Sequence, residues 1–172
     1  MFLLAFHAFL RIGEITVRSK DNVNLIMLEK KITFDHLQSD QPFIVLRMTN
    51  FKHNASKQTV TLQIQSQKNV KFCPVHHLLK YLDMRGKAFG PLFCYKDFKA
   101  IQRTEFCKVL NAALNFSNYD TAFYKSHSFR IGAATTAHML GFFDGRIKYM
   151  GRWHSDSYLR YVRVPMLSGL QI

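Results

Sequence analysis

A change of hydrophobic period in the middle of the chain limits the fold more than any other feature. Thr59-Val-Thr-Leu-Gln-Ile-Gln alternates apolar and polar residues at the period of a half-buried strand. Ahead of it the run from Phe43 to Met48 is β-prone, and Asn50 to Ser56 between them is polar and turn-forming, which predicts an antiparallel hairpin. Leu25 to Leu28 is a further short β-prone run. On both sides of this block the spacing is helical. Residues 1 to 11 are apolar nearly all round and predict the buried end of a core helix. Pro74 opens a segment in which Val75, Leu78, Leu79 and Leu82 share a face before Gly86 closes it. Arg103 to Phe116 repeats the pattern through Phe106, Val109, Leu110, Ala113 and Leu114. Ser126 is placed to cap a helix carrying Gly132, Ala133, Ala134 and Ala137, small residues that permit close packing, and ending near Gly141. Two shorter helices are expected, from Asp144 to Met150 and from Ser155 or Asp156 to Val162. The fold class is therefore mixed α+β, mostly α-helical, with a small antiparallel β-sheet.

With 172 residues and 48% hydrophobic content the chain supports one compact core, so residues 1–172 are expected to form a single domain. Lys and Arg outnumber Asp and Glu, 24 to 11, leaving a formal charge of +13. The basic residues are spread along the length, which points to a folded surface that follows a polyanion and not to a basic tail. Cys73, Cys94 and Cys107 are too few and too scattered for a disulfide framework, so an intracellular compartment is expected. The opening apolar run has no basic residue before it and no small-residue cleavage site after it, unlike a secretory leader. No stretch approaches the roughly 20 apolar residues of a membrane span.

Breaking a phosphodiester without a metal requires a nucleophile, fixed positive charge at the non-bridging oxygens and an acid for the leaving oxygen. Candidates for each are present. Arg11 lies at the end of the apolar opening with Glu14 three residues on, a spacing that brings carboxylate and guanidinium together but also describes many surface ion pairs. His127 and Arg130 share one side of a helix start, where phosphate is attracted; a lone His among small apolar residues is, equally, a hydrogen-bonded core residue. Lys52 stands just before the hairpin turn, a position where lysines are usually just solvated. Tyr158 and Tyr161 are three apart and only one can attack in line. Lys57, Lys68, Lys71 and Arg103 suit backbone contacts or an ordinary wet surface. Cys73, His76 and His77 lack the second ligand pair that a zinc site needs, so no metal is expected.

Taken together, Phe9-Leu-Arg-Ile-Gly-Glu-Ile, Lys52, His127-Ser-Phe-Arg-Ile-Gly-Ala-Ala-Thr, Gly151-Arg-Trp-His and Tyr161-Val-Arg resemble the tyrosine recombinase (phage integrase) family, spanning residues 9 to 163. The His-Ser-Phe-Arg and Gly-Arg-Trp segments and Cys73-Pro-Val look most like the recombinases of DIRS and Crypton mobile elements, and the layout also looks like Cre. The resemblance implies a tyrosine recombinase catalytic fold and DNA cleavage and rejoining through a 3′-phosphotyrosine, with no cofactor. Arg11 and Arg130 would grip the scissile phosphate, Lys52 would protonate the leaving 5′ oxygen, His127 would assist proton transfer, and Glu14 would support the arginines. Trp153 falls where the family has His or Trp, its indole N–H able to donate to a phosphate oxygen; His154 is an alternative donor. Tyr161 lies eight residues past Trp153 and Tyr158 five, and the longer spacing matches the family. Tyr161 is therefore the expected nucleophile and Tyr158 a packing residue.

The implied partners are double-stranded DNA and, in a full-length protein, three further copies in a tetramer on DNA, with no membrane and no small-molecule substrate. The nucleus is the expected site in a eukaryote and the cytoplasm in a bacterium. The family's N-terminal core-binding domain has no counterpart before Met1, and eleven residues after Tyr161 leave little room for the family's C-terminal helix, so the chain alone is expected to bind DNA poorly and to recombine nothing, whether as a truncated recombinase or a domesticated remnant. Three rivals carry other outcomes: a domesticated or decayed module that binds DNA without cutting it, a type IB topoisomerase-like relaxing enzyme, and a plain basic structural protein. Filled catalytic positions argue against decay, and relaxation of plasmids at no specific site would mark the topoisomerase.

Overall fold

A computed structural model describes residues 1–18, 28, 31–49, 51, 54 and 57–163. Helix α1 (Phe2–His7) is followed by a 3-10 turn at Ile12–Glu14, strands β1 (Ile32–Asp35), β2 (Phe43–Met48) and β3 (Val60–Gln65), and helix α2 (Pro74–Arg85). Helices α3 (Arg103–Phe116), α4 (Ser128–Met139) and α5 (Asp144–Gly151) come next, then a 3-10 turn at Asp156–Arg160.

The three strands form one antiparallel sheet in the order β1-β2-β3. Its register stacks the apolar side chains: Ile32 faces Leu46 and Leu46 faces Leu62, while Phe34 faces Ile44 and Ile44 faces Ile64. With a side-chain period of two, that register turns one complete row inward, where Ile44 and Leu46 are fully buried. The antiparallel pairing of β2 and β3 expected from the alternation is thus present, while most of the turn expected over Asn50 to Ser56 lies outside the described residues. β1 was not anticipated, since Lys31-Ile-Thr-Phe-Asp is short and mixed in polarity. Of the strand expected over Leu25 to Leu28, only Leu28 is among the described residues, forming an isolated bridge with Pro91.

α2 begins and ends as its punctuation dictates. Cys73 Sγ caps it by accepting from the His76 N–H, Pro74 occupies the first turn, and Gly86 leaves the helix at φ 79°. In α3 the packed stripe is narrower than expected: Phe106 and Leu110 are buried and Leu114 partly so, while Val109 is exposed. Ser126 does not cap α4. It is buried and accepts a hydrogen bond from Arg103 Nη2, and His127 occupies the cap position without a side-chain bond.

Two apolar clusters result. The larger joins α1, the sheet, α2 and α3; the smaller joins Phe9, Ala133, Ala134 and Ala137 of α4, Ile147 of α5, Trp153 and Tyr158. Small residues on α4 let α1 approach, and a Cβ on Gly132 would stand 3.3 Å from the Phe6 ring. The segment between α1 and the first 3-10 turn runs along the junction of the two clusters. Truncating Leu46 to Ala should cost about 2–5 kcal/mol, read as a lower urea midpoint with an unchanged slope.

Candidate active site

The chain leaves α1 earlier than its apolar run suggests. The helix ends at His7, and Phe9 takes a left-handed conformation at φ 51°, unusual for an aromatic residue. The turn brings the Phe9 carbonyl to two guanidinium groups: Arg130 Nη1 donates to it at 2.6 Å and Arg152 Nη2 at 3.2 Å. Arg11 therefore does not end a helix. It precedes the Ile12–Glu14 turn, where its backbone N–H donates to Glu14 Oε2 at 2.8 Å and its Nη1 lies 3.5 Å from Oε1.

Arg130, at the start of α4, is fully buried. Besides the Phe9 carbonyl it donates through Nη2 to the Gly151 carbonyl, and its guanidinium stacks 4.0 Å from the Trp153 ring. A desolvated contact of this kind contributes about 2 kcal/mol. Burial lowers the pKa of Arg130 to about 9, the charges of Arg11 and Arg152 push the same way, and Glu14 and Tyr161 oppose them. At neutral pH the group stays charged, and its response to Arg11 places both cations in one field.

Arg152 was given no role by the sequence, yet its side chain is completely enclosed. It takes a left-handed conformation at φ 55° where α5 ends, and donates to Glu14 Oε2 at 2.8 Å and to the carbonyls of Ala8, Phe9 and Met150. Removing one partner from so buried a pair costs about 3–5 kcal/mol. Its flanks, glycine and tryptophan, were the available signal. Gly151 has no room for a side chain, since a Cβ would sit 1.6 Å from the Trp153 ring.

Tyr161 closes the group. Its ring centroid lies 4.9 Å from those of His127 and Trp153, and the Arg130 guanidinium lies 5.5 Å from it. Thr135 on α4 holds the backbone there, its hydroxyl donating to the Tyr161 carbonyl at 3.1 Å and accepting from the Arg163 N–H at 2.9 Å. The expected terminal helix is a 3-10 turn over Asp156–Arg160, tied to α5 by the Lys148–Asp156 ion pair at 2.5 Å. Tyr158 is buried with its ring centroid 6.4 Å from that of Trp153, and its hydroxyl beside the Asp144 carboxylate is pushed up to about 12.

His127 lies at the rim. Partial covering and then the charges of Arg130, Arg11 and Arg103 lower its pKa from the ordinary 6.5, so it is neutral at pH 7. Arg103 thus belongs to the neighbourhood of the site, whereas Lys57, Lys68 and Lys71 are exposed on the hairpin and the segment after it. His154 is exposed while Trp153 is buried. Lys52 lies outside the described residues. Cys73, His76 and His77 do not converge as ligands: the Cys73 sulfur accepts backbone N–H bonds, and His77 Nε2 meets the Lys71 carbonyl. Among the described residues, no three His, Cys, Asp or Glu side chains are grouped to hold a metal ion. Among them too, Nε of Arg130, Nε of Arg152 and Nε1 of Trp153 are buried with no hydrogen-bond partner.

The fold is similar to that of the Tn1549 transposon integrase, residues 82–397, solved in complex with circular intermediate DNA. The match has a TM-score of 0.57 at 10% sequence identity and covers 96% of this chain. It covers 53% of the integrase chain, so this chain spans about half the length of that structure. No protein-family model matches the chain, and no curated protein matches it by sequence.

Two outcomes are expected from this geometry. Gly151→Ala should drive Trp153, the chain's single tryptophan, out of its pocket and shift its fluorescence to the red. His127, with a folded pKa below its unfolded value, contributes stability that is complete above pH 6.5 and is lost as pH falls from there through the folded pKa. His127→Gln should therefore lose less stability than the wild type between pH 7 and 5, measured by urea unfolding at each pH.

Proposed function

We propose that the chain is the catalytic domain of a site-specific tyrosine recombinase, in which Tyr161 breaks a DNA strand and holds it as a 3′-phosphotyrosine. The observation that carries this is the grouping of His127, Arg130, Trp153 and Tyr161, from distant parts of the chain, around the Arg130 guanidinium that bonds the Phe9 carbonyl, with Arg11 near enough for its charge to act on both His127 and Arg130. The joint motif resemblance, the +13 charge and a fold like that of an integrase solved with DNA support the same reading.

In the mechanism, the Tyr161 phenol oxygen attacks phosphorus and the bond to the 5′ oxygen breaks. In this reading neutral His127 takes the phenolic proton, and the Lys52 ammonium gives a proton of its own to the leaving 5′ oxygen, a step worth roughly 10²–10⁴-fold. Arg11 and Arg130 stabilise the charge that gathers on the non-bridging oxygens, and the unpartnered Trp153 N–H is a further donor for them. A 5′ hydroxyl from a partner strand then reverses the step, so the bond energy is conserved. In the arrangement described here Tyr161 and Trp153 cover Arg130, so DNA must enter beside Arg11 and His127 and swing the Tyr161 ring aside.

Glu14 has a supporting part, and Arg103, Lys57, Lys68 and Lys71 are proposed contacts to the DNA backbone. A mobile-element source, tetramer assembly on DNA and an intracellular location, nuclear in a eukaryote, complete the proposal. Incubated with nicked suicide duplexes, the wild-type chain should form a covalent adduct that survives denaturing electrophoresis. Tyr161→Phe should abolish the adduct and Tyr158→Phe should retain it. Loss with Tyr158→Phe alone would reassign the nucleophile, and no adduct from the wild type would leave a DNA-binding module.

A further inference from the structure

Glu14 is one carboxylate set among three arginines. Its Oε2 is occupied by the Arg11 backbone N–H and by Arg152 Nη2, both at 2.8 Å, while Oε1 faces Arg11 Nη1 across a loose 3.5 Å. The two guanidiniums differ in the way this suggests. Arg152 is wholly enclosed and bonded to three backbone carbonyls as well as to Glu14, whereas the Arg11 side chain keeps 23% of its surface exposed.

We infer that Arg152 is a positioning residue that takes up the charge of Glu14 and so leaves the Arg11 guanidinium available to a phosphate. Without Arg152, a carboxylate only 6% exposed would have Arg11 as its remaining cation among these contacts. Their loose contact would tighten into a two-pronged ion pair, and Arg11 would turn away from any anion entering beside it. Arg152 also bonds the Phe9 carbonyl that receives Arg130, so one enclosed side chain is connected to both proposed phosphate-gripping arginines.

This inference rests on the proposed phosphate site, so its test has one arm that needs no cleavage. Inorganic phosphate is titrated into the full chain while the Arg11 Nε–H signal is followed by NMR. Phosphate should shift that signal in the wild type, Arg152→Met should weaken the response at least fivefold, and adding Glu14→Gln to Arg152→Met should restore it. A merely structural Arg152 would not be rescued by removing the carboxylate. In the second arm, adduct formation at saturating DNA should fall about tenfold or more in Arg152→Met and recover in the double variant.

Arg152→Lys covers the event that Arg152→Met does not fold, since it keeps the charge next to Glu14 but not the planar fork. It should keep most of the phosphate response. An undiminished response in folded Arg152→Met, no recovery in the double variant, a response lost in folded Arg152→Lys, or a wild-type Arg11 signal that ignores phosphate would each overturn the inference. A wild type that responds to phosphate but forms no adduct overturns the recombinase proposal and leaves this one standing.

Discussion

Arg130 holds the candidate site together. A fully buried guanidinium is costly unless its donors are met, and here two are met by main-chain carbonyls, Phe9 and Gly151, that lie 121 and 21 residues away in sequence. Meeting them requires three segments to be present at once: the turn after α1, the first turn of α4 and the end of α5. The Trp153 ring then covers the guanidinium from one side. The left-handed backbone at Phe9 and Arg152 and the absent side chain at Gly151 are local costs accepted so that these groups can meet.

From that constraint the chemistry follows. Partial covering, and then the charges of Arg130, Arg11 and Arg103, keep His127 neutral, while Arg11, Arg130 and Arg152 gathered around a single carboxylate leave a field that favours an anion. Tyr161 reaches this field because Thr135 pins its backbone to α4, while Tyr158, three residues earlier, is turned toward Asp144 and held protonated. Two tyrosines close in sequence thus sit in different surroundings: Tyr161 beside the Arg130 guanidinium, Tyr158 beside the Asp144 carboxylate and the Lys148 ammonium.

The sheet and the middle helices were legible because their periods are clean and their ends are marked: Thr59 to Gln65 alternates, and Pro74 and Gly86 bracket α2. The early end of α1 was not, since an unbroken apolar run carries no stop signal and a phenylalanine gives no hint of a left-handed turn. The motifs named Arg11, His127, Arg130, Trp153 and Tyr161, which the structure brings together. They passed over Arg152, because arginine is ordinarily a surface residue and its partners are mostly carbonyl oxygens, which leave no mark in a sequence. Ser126 showed the converse error: a good capping residue was drawn away by Arg103 before it could cap.

The side chain that becomes joined to DNA decides whether Tyr161 is the nucleophile. The wild-type chain would be incubated with a pool of nicked duplexes, digested with nuclease and protease, and its peptides sequenced by mass spectrometry. A nucleotide carried through its 3′ phosphate on Tyr161 is the predicted result. The same mass on Tyr158, on a serine or on a histidine would contradict it.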